Sequence, residues 1–205
     1  MTEVPNGPQA LLRLEDAVRR LAVQTHGRAL TGRAHDDADD TVGTVATDSA
    51  VGFDPLPLLR ALDACGARVV VMGQVAGIMH GSQELTGDLD LLWDGDLGYA
   101  EALARGFASL TAQLTDDAGA SLPCDGRAFH LPKIQFRSLQ ASGDCCTPAL
   151  QWGDLAIEAF IDRSLEVRGR DGFTVRYLRR EDLVRMRRAV GRAKDLRRAE
   201  ELERF

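Results

Sequence analysis

The chain is predicted to fold as an α/β protein of the α+β kind, with helices beside a mixed sheet. Three observations predict it. Short apolar runs such as Arg68-Val-Val-Val-Met72 alternate with stretches of helical rhythm. Pro and Gly stand at the boundaries between them. Apolar residues make up 44% of the 205 residues, enough to fill one core of ordinary size with a helical annex.

The elements follow in order. Gln9–Val23 has apolar residues at helical spacing, namely Leu11, Leu12, Leu14, Val18, Leu21 and Ala22. The acidic run His35-Asp-Asp-Ala-Asp-Asp40 comes next and has little to bury, so residues 1–50 are expected to be a helix on a flexible tether outside the core. Asp54-Pro55 supplies an N-cap and a proline for the first helical position. That helix runs through Leu58, Leu59 and Leu62 to Cys65, and Gly66 stops it. Arg68–Met72 reads as a buried strand, Gly73-Gln74 as a turn and Val75–His80 as a short helix broken by Gly81. The segment Thr86–Trp93 reads as the next strand, and Gly98–Leu114 as an amphipathic helix. Ala128–Phe136, Leu155–Ile161 and Phe173–Leu178 read as further strands. Arg180–Phe205 reads as a helix or helix pair with a bend at Gly191. The expected organisation is an N-terminal segment 1–50, a core 51–162 and a C-terminal helical segment 163–205.

Charge is unevenly spread. The whole chain carries −6, yet residues 163–205 hold 14 Arg and Lys against 8 Asp and Glu. A basic end on an acidic protein is read either as a surface for a polyanion or as a solvated helix laced with ion pairs. No apolar run approaches the ~20 residues needed to cross a bilayer, so no membrane role is expected. The start, Met-Thr-Glu-Val-Pro-Asn-Gly-Pro, lacks the pattern of a secretory signal. Cys65, Cys124, Cys145 and Cys146 show no Cys-x-x-Cys spacing and are expected to be free thiols in a reducing cytoplasm.

The most informative stretch is Gly87-Asp-Leu-Asp-Leu-Leu-Trp93. On a strand, residues two apart share a face, so Asp88 and Asp90 would stand side by side while Leu89 and Leu91 enter the core. Adjacent carboxylates repel unless a cation or proton lies between them. The pair is either the wet face of an edge strand or a site for a hard divalent cation.

The wider pattern is more specific. Met72-Gly-Gln-Val-Ala-Gly-Ile-Met-His-Gly81, followed by Leu85-Thr-Gly-Asp-Leu-Asp-Leu-Leu92, resembles the nucleotidyltransferase superfamily with a polymerase-beta-like palm. Within it, the form is similar to the branch of AbiEii-like and MenT-like bacterial toxins. A second match lies about a hundred residues on. Glu181-Asp-Leu-Val-Arg-Met-Arg187-Arg-Ala-Val-Gly191-Arg-Ala-Lys194-Asp195 resembles the closing helical motif of the family, with Arg187 where a Lys is common. Together the matches cover roughly residues 54–200.

The resemblance implies a set of roles. The Gly73-Gln74 turn would hold a triphosphate, although the family usually has Gly or Ser at the place of Gln74. Thr86 would hydrogen-bond a phosphate or simply end a turn. Asp88 and Asp90 would hold Mg²⁺, joined by a third carboxylate from a later strand. Glu158, in Leu155-Ala-Ile-Glu-Ala-Phe-Ile-Asp162, aligns with that third acid, with Asp162 as second choice. Lys133 and Arg187 would meet the triphosphate.

The implied activity is Mg²⁺-dependent transfer of a nucleotide from an NTP, CTP or another pyrimidine NTP, to an acceptor hydroxyl. The toxin branch implies the 3′ end of tRNA as acceptor and a cognate antitoxin as partner. Other members imply an aminoglycoside or lincosamide, or AMP transfer onto a protein. The departures at Gln74 and Glu158 leave room for a catalytically silent binding protein.

Overall fold

The computed structural model describes residues 9–33 and 43–205. Its architecture is α+β, one eight-stranded mixed sheet with several helices against it. The strands are β1 (Val69–Val71), β2 (Leu91–Trp93), β3 (Gln113–Thr115), β4 (Ser121–Leu122), β5 (Lys133–Arg137), β6 (Ser142–Cys146), β7 (Leu165–Arg168) and β8 (Thr174–Tyr177). Their order across the sheet is β4-β3-β5-β6-β2-β1-β8-β7. β1 runs parallel to β8 and β2 parallel to β6; the other pairs are antiparallel. No described helix is long and apolar enough to cross a membrane.

The helices are α1 (Gln9–Thr25), α2 (Leu56–Ala64), α3 (Gly73–His80), α4 (Ala100–Ser109), α5 (Ile157–Asp162), α6 (Arg180–Val190) and α7 (Ala193–Glu203). Their ends obey local chemistry. The Asp54 carboxylate accepts the Leu56 N–H at 2.9 Å, at the start of α2. Gly81 and Gly191 take positive φ, 118° and 71°, where α3 and α6 stop. The bend expected at Gly191 therefore separates two helices.

The loose N-terminal helix is corrected. α1 lies against α3, and Leu11, Leu14, Ala17 and Leu21 are each under 5% exposed in the common core. Arg13 Nη1 donates to the Met79 carbonyl at 3.1 Å. A tether was expected from polarity, but the apolar stripe of α1 has a partner in α3, and burying one leucine contributes about 1.5–3 kcal/mol. Residues 43–50 are also packed, with Val45, Thr47 and Ala50 buried. The acidic run 35–40 lies outside the described residues.

Three strand readings also change. Leu155–Ile161 is not a strand; Ile157–Asp162 is helix α5. Ile157, Phe160 and Ile161 are buried, a helical i, i+3, i+4 set that a period of two cannot bury together. Arg163, just past α5, pairs with the buried Asp182 in the first turn of α6, Nε to Oδ2 at 2.8 Å. Gly126–His130 is a 3₁₀ turn, and Pro132 separates it from β5. The predicted helix to Leu114 ends at Ser109, because Thr111 adopts φ 51° and the chain enters β3. β2 contains only Leu91–Trp93, so Asp88 and Asp90 lie in the irregular stretch leading into it.

Candidate active site

Strand register places the acids. β1 pairs Val71 with Leu91, and the next N–H, that of Met72, donates to the Asp90 carbonyl at 2.9 Å. β2 pairs Leu91 with Cys145 in parallel. One residue earlier on both strands sets Asp90 beside Asp144. β5 then pairs Lys133 with Cys146, on the face that Asp144 shares. Met72, Asp90, Asp144 and Lys133 thus come from four neighbouring interior strands and meet on one face of the sheet.

A cavity of about 390 Å³ opens there. Gly73, Gln74, Thr86, Asp88, Asp90, Lys133, Asp144 and Arg187 all line it. α6 and α7 close the far wall with Met186, Arg187, Lys194 and Arg198, and Leu150 and Trp152 add an apolar side. Seven of the nine residues singled out from the sequence therefore share one cavity. Glu158 and its alternative Asp162 are the exceptions. Both are exposed on α5 and neither lines the cavity. The carboxylate beside Asp90 is Asp144, which the sequence reading did not consider.

Gly73 is required by close approach. Its φ is 61°, and a Cβ built on it would lie 1.9 Å from Asp90 Oδ2. The turn and the acid therefore share one space. Gly73→Ala is expected to destabilise the fold by about 1–3 kcal/mol, since a non-glycine residue is strained at this φ and must also push Asp90 aside. A thermal melt coincident with wild type would show that the turn relaxes freely.

Gln74 and Arg187 have work other than touching a ligand. Gln74 is 4% exposed. Its Nε2 donates to Ser82 Oγ at 3.0 Å and to the Glu84 carbonyl at 2.7 Å, and its Oε1 accepts from Arg187 Nη2 at 2.7 Å. Arg187 also donates to the carbonyls of Gly73 at 3.2 Å and Arg198 at 3.0 Å. Burial, with Arg198 nearby, pushes the Arg187 pKa down to about 10, and the guanidinium is still protonated at neutral pH. Gln74 and Arg187 are thus hydrogen-bonded partners. Their side chains brace the turn from behind, while Arg187 also lines the cavity.

Thr86 is also braced. Its hydroxyl lies 2.9 Å from that of Thr44, whose Oγ1 accepts the Gly87 N–H at 3.0 Å. A Cβ on Gly87 would come within 2.5 Å of Ala50 Cα, so residues 44–50 press directly on the loop that carries Asp88. On the other side, Glu84 pairs with Arg198 at 2.6 Å and Arg197 at 3.1 Å, and Ser82 Oγ donates to Glu201 at 2.6 Å. Burial opposes the charge of Glu84, but the two guanidinium groups outweigh it and lower the carboxyl pKa. His80, the last residue of α3, is buried, bonds the Leu178 carbonyl at 2.8 Å and packs on Tyr177.

Lys133 Nζ lies 3.2 Å from Asp144 Oδ2 and 3.0 Å from Asp117 Oδ1. Burial works against its charge, but the Asp144 and Asp117 carboxylates prevail and raise its pKa. Cys146 is 3% exposed, and burial together with Asp144 pushes its thiol up, so it is a neutral wall of the cavity. The donors fit a hard cation in kind, since Asp88, Asp90 and Asp144 open on one cavity, which Asp195, paired with Arg192, also lines. As the side chains stand, no group of three His, Cys, Asp or Glu among the described residues is gathered tightly enough to hold a metal.

No family model matches the chain, and no curated protein matches it.

Proposed function

We propose that the protein is a nucleotidyltransferase that moves a nucleoside monophosphate from an NTP to an acceptor hydroxyl. The observation that supports this most is the convergence of Asp88, Asp90 and Asp144 on the cavity that holds the Gly73 turn and Lys133. Asp88, Asp90 and Asp144 are the residues that would hold Mg²⁺, which when bound supplies charge neutralisation at the transferring phosphate.

The other groups act by position. The first N–H groups of α3 have no intrahelical carbonyl to bond, and the positive end of the helix dipole favours phosphate oxygens. Gln74 and Arg187 keep that turn in place. Lys133 and Lys194 bring positive charge to the same cavity, and Leu150 and Trp152 offer an apolar surface for a base. Holding both reactants in line supplies most of the acceleration in such a reaction.

The 3′ end of tRNA is the proposed acceptor, CTP or another pyrimidine NTP the proposed donor, and a toxin of a toxin–antitoxin pair in the cytoplasm the proposed setting. One observation favours a second reading. Several basic residues of α6, α7 and the turn between them are paired within the protein: Arg188 with Glu203, Arg192 with Asp195, and Arg197 and Arg198 with Glu84. This weakens the pull on a polyanion and suits a small acceptor, an aminoglycoside or lincosamide, held inside the cavity.

The test is incubation with labelled NTPs and total tRNA, with and without Mg²⁺, beside a parallel reaction with the small acceptors. Label entering tRNA only with Mg²⁺ is the expected result. Label entering only the antibiotic would replace the first reading with the second, and none in either would defeat both.

A further inference from the structure

We infer that Lys133 is a built-in counter-ion of the site, poised to hand Asp144 to an entering divalent cation and to move its charge to Asp117. The inference rests on the metal-binding reading of Asp144 given above. Its basis is the placement of one ammonium between two carboxylates of unlike surroundings. The Asp144 side chain is 20% exposed and opens on the cavity, whereas that of Asp117 is 62% exposed and does not line it. The ammonium touches both, at 3.2 and 3.0 Å.

Two physical facts give the device a direction. Carboxylates crowded on one face of a sheet repel, and a nearby ammonium offsets that repulsion. Lysine is a compact charge on a flexible stem, so it can leave one carboxylate without leaving the other. When a divalent ion takes Asp144, the same ammonium is repelled by it, and Asp117 retains the ammonium near the cavity. Cation and ammonium then compete for Asp144, and Asp117 sets how readily the ammonium yields. By linkage, whatever Lys133 costs the cation, the cation costs the Lys133–Asp144 contact.

The experiment measures Mn²⁺ affinity of the full chain by electron paramagnetic resonance, without nucleotide. Lys133→Met is expected to tighten Mn²⁺ at least about fivefold, the low end of coupling between ligands of one site. Lys133→Gln repeats the test with a polar side chain and guards against misfolding. Asp117→Asn is expected to weaken Mn²⁺ in the wild-type background and to have no effect in the Lys133→Met background. That loss of effect separates hand-over from simple distance electrostatics, in which Asp117→Asn would act alike in both.

Binding seen in Lys133→Met but not in wild type would be the strongest support. Binding by wild type that neither Lys133 variant tightens would overturn the inference and leave the proposed function standing. No Mn²⁺ bound by any variant would overturn both.

Discussion

Asp90→Asn is expected to leave the protein folded and to reduce the proposed nucleotide transfer by at least ~10³-fold, and Asp144→Asn by at least ~10²-fold. Glu158→Gln is expected to stay within about twofold of wild type. The three substitutions differ little in chemistry, each turning a carboxylate into an amide. They differ in place. Asp90 lies against the Gly73 turn and beside Asp144, while Glu158 points to solvent from α5. An amide keeps the shape but lacks the charge that a cation needs. Transfer rates at saturating Mg²⁺ decide the matter, with circular dichroism to check the fold. A Glu158→Gln variant as inert as Asp90→Asn would return the third acid to α5 and sink the placement at Asp144.

Leu14→Ala is expected to cost about 2–5 kcal/mol of stability, as for other fully buried leucines. Leu14 is 1% exposed and belongs to the core that α1 shares with α3. The loss should appear as a lower urea midpoint with an unchanged slope. Removal of residues 1–25 should do more, because it uncovers the outer face of α3 and takes away the partner of the Met79 carbonyl. The expected product is insoluble or expanded, and inactive for that reason. A truncated protein with a native melt would mean that α1 adds little and that the tethered picture was right after all.

Much of the fold was legible because local rules agreed with tertiary ones. Val69–Val71 is a run of β-branched residues, and the α6–α7 pair carries its own glycine break. The misreadings came where one segment satisfies two periods. Ala-Ile-Glu-Ala-Phe-Ile alternates like a strand, yet it also spaces Ile157, Phe160 and Ile161 for a helix, and tertiary packing chose the helix.

β6 was hidden for the opposite reason. Ser142-Gly-Asp-Cys-Cys146 has little strand propensity, and Gly143 is there because a Cβ would meet the Leu89 carbonyl at 2.0 Å. A glycine next to an acid, between two apolar runs, was the available signal. The basic tail left two readings open for another reason. Charge is visible in a sequence, but its partners are not, and Glu84 lies more than a hundred residues before the arginines that neutralise it.

The bracing of the loop at residues 82–88 bears on when the protein becomes competent. Thr44 and Ala50 hold it from one end of the chain, and Glu201, Arg197 and Arg198 from the other. These contacts join segments far apart in sequence, the kind that form late in folding. A chain emerging from the ribosome can build its sheet as far as β6 and still lack half of the supports for Asp88. The cavity is complete only once residues 193–203 have been made and have docked. Whatever chemistry it performs is withheld from every partial product of translation.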